Sequence, residues 1–363
     1  MSRQGGVENV EDKIMAIKLG FLMGYSGKQI TVPIELIKKA EALGFDSVWT
    51  AEAYGSDAVT PAAWILAQTD KIKVGTAIMQ MVGRTPATTA MTAMTLDQLS
   101  NGRFIVGLGA SGPQVVEGWH GVPYGKPVTR TKEYIQIMKK IFARQGPVEF
   151  DGKMYQLPNK SEGTTGLGKA LKSIMAAVEK DIPVYTASIT PAGLAASAEV
   201  ADGVFPVFMV PEKFEVIGVP LQKGFDKAGN GKSLANFDVA PFIGVIMGDD
   251  VDACRAPIKQ FLALYIGGMG AKNKNFYHTY TTNLGFGDAA DKIQEHYLAG
   301  DKEAAANAVP DELVDLVALV GPEARIRERC QVWKESGERN EVGTLLFQVY
   351  QDEVLDVLAD EFL

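Results

Sequence analysis

The sequence is short of the residues on which metal and thiol chemistry are built. Among 363 residues there are 2 cysteines and 3 histidines. Cys254 and Cys330 stand far apart and neither belongs to a C-x-x-C pair, which argues against a disulfide framework, a structural zinc site or a dithiol centre. Two isolated thiols fit a reducing compartment. Positive charge is also in deficit, with 36 Lys and Arg against 44 Asp and Glu and a net charge of −8. A nucleic-acid clamp needs clustered Lys and Arg, so nucleic acid is not an expected partner. No stretch approaches the roughly 18 uninterrupted apolar residues of a membrane span. The opening MSRQGGVENVEDKIM lacks the apolar centre of a secretory signal. The expectation is a cytoplasmic protein with no membrane partner and a flexible N-terminus over residues 1–14.

What is present is an ordinary globular balance, 46% hydrophobic and 22% charged residues. A short apolar run, a turn and an amphipathic helix recur eight times. The predicted strands are Ile17–Met23, Ser47–Ala51, Ile72–Met79, Arg103–Leu108, Pro183–Ala187, Gly203–Phe208, Asp238–Met247 and Thr344–Val349. Thr60-Pro61, Thr85-Pro86, Thr190-Pro191 and Val210-Pro211 read as helix starts, because proline is tolerated at the first helical position. Further helices are predicted over Val32–Leu43, Arg130–Ala143 and Val251–Ile266, and a long helical region over Gly287–Lys334. Residues 146–181 break the rhythm with a hairpin (Val148–Leu157), the stretch SEGTTGLG and a helix over Ala170–Val178, and read as an insertion after the fourth strand.

Eight units predict a single-domain (β/α)₈ TIM barrel with parallel strands; a doubly wound sheet is the rival and usually has fewer strands. Reactive groups in such a barrel sit at the C-terminal strand ends. Those ends are mostly apolar here, with small hydroxyls, few amides and few carboxylates, Glu52 among them. No metal-ligand spacing appears among them, and paired carboxylates are missing. An apolar mouth with few polar groups suits a flat organic cofactor that brings its own reactivity.

Glu52 reads either as a rim carboxylate bonded to its surroundings or as a contact to cofactor or substrate. The GLGASG run, with Gly109, Ala110, Ser111 and Gly112, permits close backbone approach to a ligand, although such turns often only bend the chain. It matches neither a dinucleotide fingerprint nor a nucleophile elbow. The turn Ala187, Ser188, Ile189, Thr190 joins small residues to a helix start, either as a plain cap or as a phosphate-holding turn. His120, in GWHGVPYGKP, follows the fourth strand within reach of the mouth and shares its loop with Trp119, Tyr124, Lys126 and Arg130.

Four stretches carry a resemblance: AEALGFDSVWTAEAYG (Ala40–Gly55), Ile72–Tyr124 with IKVGTAIMQ and SNGRFIVGLGASG, IPVYTASITPAGLAASAEVADGVFP (Ile182–Pro206), and VALVGPEARIRERCQVWKESG (Val317–Gly337). The sequence resembles the bacterial luciferase-like flavin and deazaflavin superfamily, and within it the coenzyme F420-dependent oxidoreductases. The resemblance implies a barrel with insertions after strand four and near strands seven and eight, and a tricyclic ring across its mouth. It also implies a bulge at the end of strand three, often with a non-prolyl cis peptide, which here falls at Ala77, Ile78 and Met79 with Gln80 beside it. Glu52 takes the place of the family's acid after strand two, Gly109–Gly112 that of its glycine turn, and Ala187–Thr190 that of its phosphate-holding turn. Two departures stand out. Ala53 occupies the place where sugar and alcohol dehydrogenases of the family carry histidine, and Gly112 the place of an acid. Alcohol oxidation in that form is therefore not expected. Reduction of an activated double bond is, with Glu52 and His120 as candidate catalytic residues. Reduced FMN with oxygen, in a monooxygenase, is the alternative cofactor assignment, and a non-redox ligand-binding or hydrolytic barrel is a further alternative. The implied partners are a small-molecule substrate and a second copy of the chain, with helix Thr85–Leu99 as a candidate dimer face.

Overall fold

A computed structural model describes residues 16–270 and 274–363. The stretch 1–14, expected to be flexible, lies outside the described residues. The strands are β1 Lys18–Leu22, β2 Ser47–Thr50, β3 Lys73–Thr76, β4 Met79–Gln80, β5 Phe104–Gly109, β6 Phe150–Asp151, β7 Gln156–Leu157, β8 Val184–Ala187, β9 Gly203–Phe205, β10 Asp238–Val239, β11 Phe242–Met247, β12 Ala318–Gly321 and β13 Thr344–Gln348. All but the β6–β7 hairpin form one parallel sheet in the order β10-β9-β8-β5-β3-β2-β1-β13-β11-β12, with β4 paired to β5. The seventh barrel strand is the pair β10 and β11, split at Ala240-Pro241. Its first half pairs with β9 and its second with β13, which joins the two ends of the sheet. The result is a (β/α)₈ TIM barrel.

Both faces of each strand are covered, so the strands read as continuous apolar runs. Outward residues such as Leu19, Phe21, Val48, Val106, Val204 and Phe347 are buried under the helices. Inward residues Leu22, Trp49, Ala77, Ile105, Tyr185, Phe205, Ala240 and Leu346 fill the barrel. Trp49 fits there because its register partner is Gly75, where a β-carbon would overlap the indole ring. At the N-terminal end, Asp238 Oδ2 accepts hydrogen bonds from Lys18 Nζ (2.8 Å), Tyr185 Oη (2.9 Å) and Thr344 Oγ1 (2.6 Å). The barrel base is thus a charged plug under an aromatic filling.

Three sequence expectations are corrected. Ala170–Val178 forms no helix. Its backbone is satisfied by neighbours instead: Val148 N–H donates to Leu171 O (2.8 Å), Arg144 Nε to Ser173 O (2.9 Å) and Val178 N–H to Phe142 O (3.3 Å). The long region Gly287–Lys334 is three helices, Gly287–Leu298, Lys302–Asn307 and Asp311–Val317, then β12, then helix Glu323–Glu338. Ala-Leu-Val-Gly is too short a run for periodicity to separate strand from helix, and pairing with β11 decides it. The second helix opens at Val59, with Asp57 Oδ1 accepting from Val59 and Thr60 N–H, two residues before the expected first helical residue Pro61. Helix Pro127–Ala143 begins earlier than Arg130, and the hairpin forms within Val148–Leu157 as expected.

Candidate active site

At the end of β3 the chain breaks out of the sheet at Ala77-Ile78, a cis peptide bond, and returns as β4. Ala77 and Met79 are buried while Ile78 is partly open, so Ile78 presents the bulge to the mouth. The glycine of β5 beside it is required by contact, since a β-carbon at Gly109 would come 2.6 Å from the Ile78 side chain. Beneath the bulge lie Trp49, Phe205 and Phe242 in edge and tilted contacts of 5.1 and 5.6 Å. This side of the mouth is an apolar wall on an aromatic floor.

A polar chain runs along the rim of that wall. Glu52, 9% exposed, accepts Gln80 N–H (2.7 Å) and Arg84 Nη1 (2.7 Å) at Oε1 and Ala58 N–H (2.9 Å) at Oε2. Arg84 Nη2 also faces Asp57 Oδ1 at 3.7 Å. Gln80 Nε2 donates to Ala53 O at 2.6 Å, which fixes its amide with Oε1 toward His120 Nε2 at 2.7 Å. An amide oxygen only accepts, so His120 carries a proton on Nε2 and its Nδ1 is the basic atom. The Cε1–Nδ1 edge faces Gly83, where a β-carbon would come 3.4 Å from Cε1. Behind the rim, Tyr134 Oη donates to Arg84 O (3.1 Å) and lies 2.5 Å from Thr89 Oγ1. Burial first, only partly offset by the Thr89 bond, pushes this phenol far above its ordinary range.

The remaining expected residues lie at strand ends of the same mouth. Gly109 ends β5, Ala110 is half-buried, Ser111 takes the left-handed conformation (φ 58°), and Gly112 precedes the short helix Pro113–Gly118. Ala187 ends β8 exposed, Ile189 packs on the core, and Thr190 Oγ1 accepts Gly193 N–H (3.2 Å) as a helix cap. Ser188 Oγ lies so close over Gly193 that any β-carbon there would overlap it. Gly193 thereby keeps a hydroxyl at the amino end of helix Pro191–Val200. Arg130, by contrast, is buried at the start of its helix with Nη2 on Pro123 O (2.9 Å).

Sequence reasoning missed two parts. Arg84, past the end of β4, carries no motif of its own and is found by its contact to Glu52. The opposite rim is aromatic: Phe208, Phe261, Tyr265 and Tyr277 pack together, and Tyr25 Oη lies 3.3 Å from Tyr265 Oη. A cleft of about 870 Å³ lies elsewhere, between helices Pro127–Ala143 and Pro191–Val200. Some of the charges in and around it are paired, Lys139 with Asp202 (2.9 Å) and Lys132 with Glu199 (2.5 Å), while Lys140 and Lys232 donate to backbone carbonyls. None of the strand-end residues lines it, so volume alone does not locate the chemistry.

A parallel barrel with a bulged third strand and an apolar mouth defines a class, the luciferase-like TIM barrels. A family model described as luciferase-like monooxygenase matches residues 18–340, and the chain belongs to that family. A protein of Mycobacterium tuberculosis with the provisional name coenzyme F420-dependent oxidoreductase is 44% identical over 322 residues, 88% of this chain and 93% of that one. The 5,10-methylenetetrahydromethanopterin reductase of Archaeoglobus fulgidus is 27% identical over 83% of this chain and 85% of its own. In fold, the coenzyme F420-dependent tetrahydromethanopterin reductase of Methanopyrus kandleri superposes with a TM-score of 0.75 at 23% identity, covering 95% of this chain and 98% of that one. Among the described residues no helix is long and apolar enough to cross a membrane.

Proposed function

We propose that the chain is an oxidoreductase that uses coenzyme F420 to reduce an activated double bond in a small organic substrate. The observation that carries this reading is the apolar wall Ala77–Ile78 standing beside the polar pair Gln80–His120. When bound, the reduced deazaflavin supplies a hydride. The residues present fit such a ring. Ala77, Ile78, Met79 and Gln80 would back it, Gly109–Gly112 would border it, and Ala187–Thr190 would hold an anionic tail at the amino end of helix Pro191–Val200. Gly193 is the cradle there, because a side chain would fill the space beside Ser188.

Glu52 acts as a positioning residue. Three donors already occupy its two oxygens, so its carboxylate orients Gln80 and carries no proton of the reaction. His120 holds or passes a proton at Nδ1, with Gln80 locking the opposite ring nitrogen. Trp49, Tyr185 and Phe205 close the barrel below and exclude water from that side. The protein works in the cytoplasm as a homodimer, with the exposed Met91 and Leu99 of helix Pro86–Leu99 on its contact face.

Mixing the protein without oxygen with reduced F420 and a panel of enones and imines tests the reaction. The expected result is a return of the visible absorbance of oxidised deazaflavin. No change across the panel, or turnover that needs reduced FMN and oxygen, overturns the assignment.

A further inference from the structure

Two departures from regular backbone meet at one place over the mouth. Phe208, just past β9, holds φ 57°, in the left-handed region that bulky side chains rarely adopt. Helix Val251–Ala263 widens into the π-turn Leu264–Gly268, a form that recurs at functional sites. Asn275, 5% exposed, spends its amide on that turn: Nδ2 donates to Tyr265 O (3.2 Å) and Ile266 O (2.7 Å). Both departures bring rings to the same spot. Phe208 packs edge-on against Tyr265 at 5.6 Å, and Tyr265 against Tyr277 at 4.8 Å. Tyr25, after β1, places its hydroxyl 3.3 Å from that of Tyr265. Tyr265 is 6% exposed and Tyr25 57%, so the hydroxyl pair marks the boundary between packed rings and open mouth. Tyr54 after β2 and Tyr124 after β5 lie near enough to act electrostatically on Tyr265 and Tyr277. Tyr25, Tyr265 and Tyr277 thus form a ring of phenols on the aromatic rim, with Tyr54 and Tyr124 nearby.

We infer that this ring is the substrate pocket of the proposed reductase and takes a flat conjugated carbonyl compound, its oxygen bonded by the Tyr25–Tyr265 hydroxyl pair. The inference rests on the proposed function. Aromatic faces favour a planar conjugated partner. Within the pair one hydroxyl donates to the other, which keeps its own proton for a ligand. Burial above all, then the neighbouring phenols, pushes Tyr265 far above the ordinary tyrosine range, so it stays a neutral donor. Its hydrogen bond draws electrons toward the carbonyl oxygen and leaves the β-carbon electron-poor. With a reduced deazaflavin bound, the hydride it would supply would form the C–H bond at the β-carbon as the C=C π bond breaks, leaving the cofactor oxidised. A proton from His120 or water completes the α-carbon, and Tyr265 ends with the proton it began with.

The test compares benzylideneacetone with trans-phenylbutene, its hydrocarbon counterpart, by calorimetry on protein without cofactor. One hydrogen bond's worth of preference, about tenfold for the ketone, is expected in the natural chain. Tyr265→Phe keeps the packed ring and abolishes the preference; Tyr25→Phe, at an exposed position that cannot unfold the barrel, reduces it. Equal binding of the two probes, or an undiminished preference in both variants, overturns the pocket. F420 binding followed by fluorescence separates the two readings. Tyr265→Phe retains it; loss confined to that variant contradicts the pocket, whereas absence of F420 binding in the natural chain contradicts the proposed function and leaves the ketone preference standing.

Discussion

Three donors converge on Glu52, and among them Arg84 supplies the charge. Removing the guanidinium would leave a carboxylate that is 8% exposed without a counter-ion, and uncompensated buried charge is among the most destabilising changes a protein can suffer. Arg84 is itself 20% exposed, which lets water screen part of the loss. Arg84→Met is therefore expected to cost about 2–4 kcal/mol in urea denaturation. Adding Glu52→Gln should cost less than the two single changes summed, because the partners act as one unit. An Arg84→Met loss within about 0.5 kcal/mol of zero, the range of ordinary surface changes, would show that the pair is solvated and positions nothing. Glu52 was legible from the sequence as a carboxylate at the end of the second strand, and Gln80 as the residue beside the bulge. Arg84 was not. It reaches Glu52 from the end of the turn after β4, and periodicity carries no information on where a long side chain lands.

Among the elements, the eight barrel strands were legible because each is apolar on both faces and bounded by turn residues. Most of their ends shifted by a residue or two, the third stopped early at Ala77-Ile78, and the sixth, expected to run to Phe208, ends at Phe205. β12 was hidden because four apolar residues between two helices fit either period. The segment around Tyr265 read as plain helix, and the π-turn there depends on Asn275, ten residues further on. No local pattern announces it. Helix Pro86–Leu99 carries a prediction of its own. Met91 is 59% and Leu99 78% exposed on an element with a single charged residue, Asp97, whose carboxyl burial pushes up. Sedimentation should find a dimer for the natural chain and a monomer for Met91→Asp. A monomeric natural chain would remove this helix from the account.

For the whole molecule, the base and the mouth divide the work. Lys18, Asp238, Tyr185 and Thr344 tie the N-terminal strand ends together, while the bulge, the Gln80–His120 pair and the tyrosine ring gather at the other end. With the proposed site, stability and chemistry would be separated along the barrel axis, the arrangement that lets one scaffold carry many loop chemistries. The mouth is assembled from the ends of β1, β2, β3, β5, β8 and β9 and from the π-turn, segments spread from Tyr25 to Tyr277. That dispersal is why its outline emerged in space and not along the chain. A mouth shaped for a deazaflavin should bind F420 in preference to FMN. Parallel fluorescence titrations of cofactor-free protein with F420 and with FMN test it most directly. Saturable micromolar binding of F420, with FMN weaker by tenfold or more, is the predicted result; binding of FMN alone, or of neither, would contradict it.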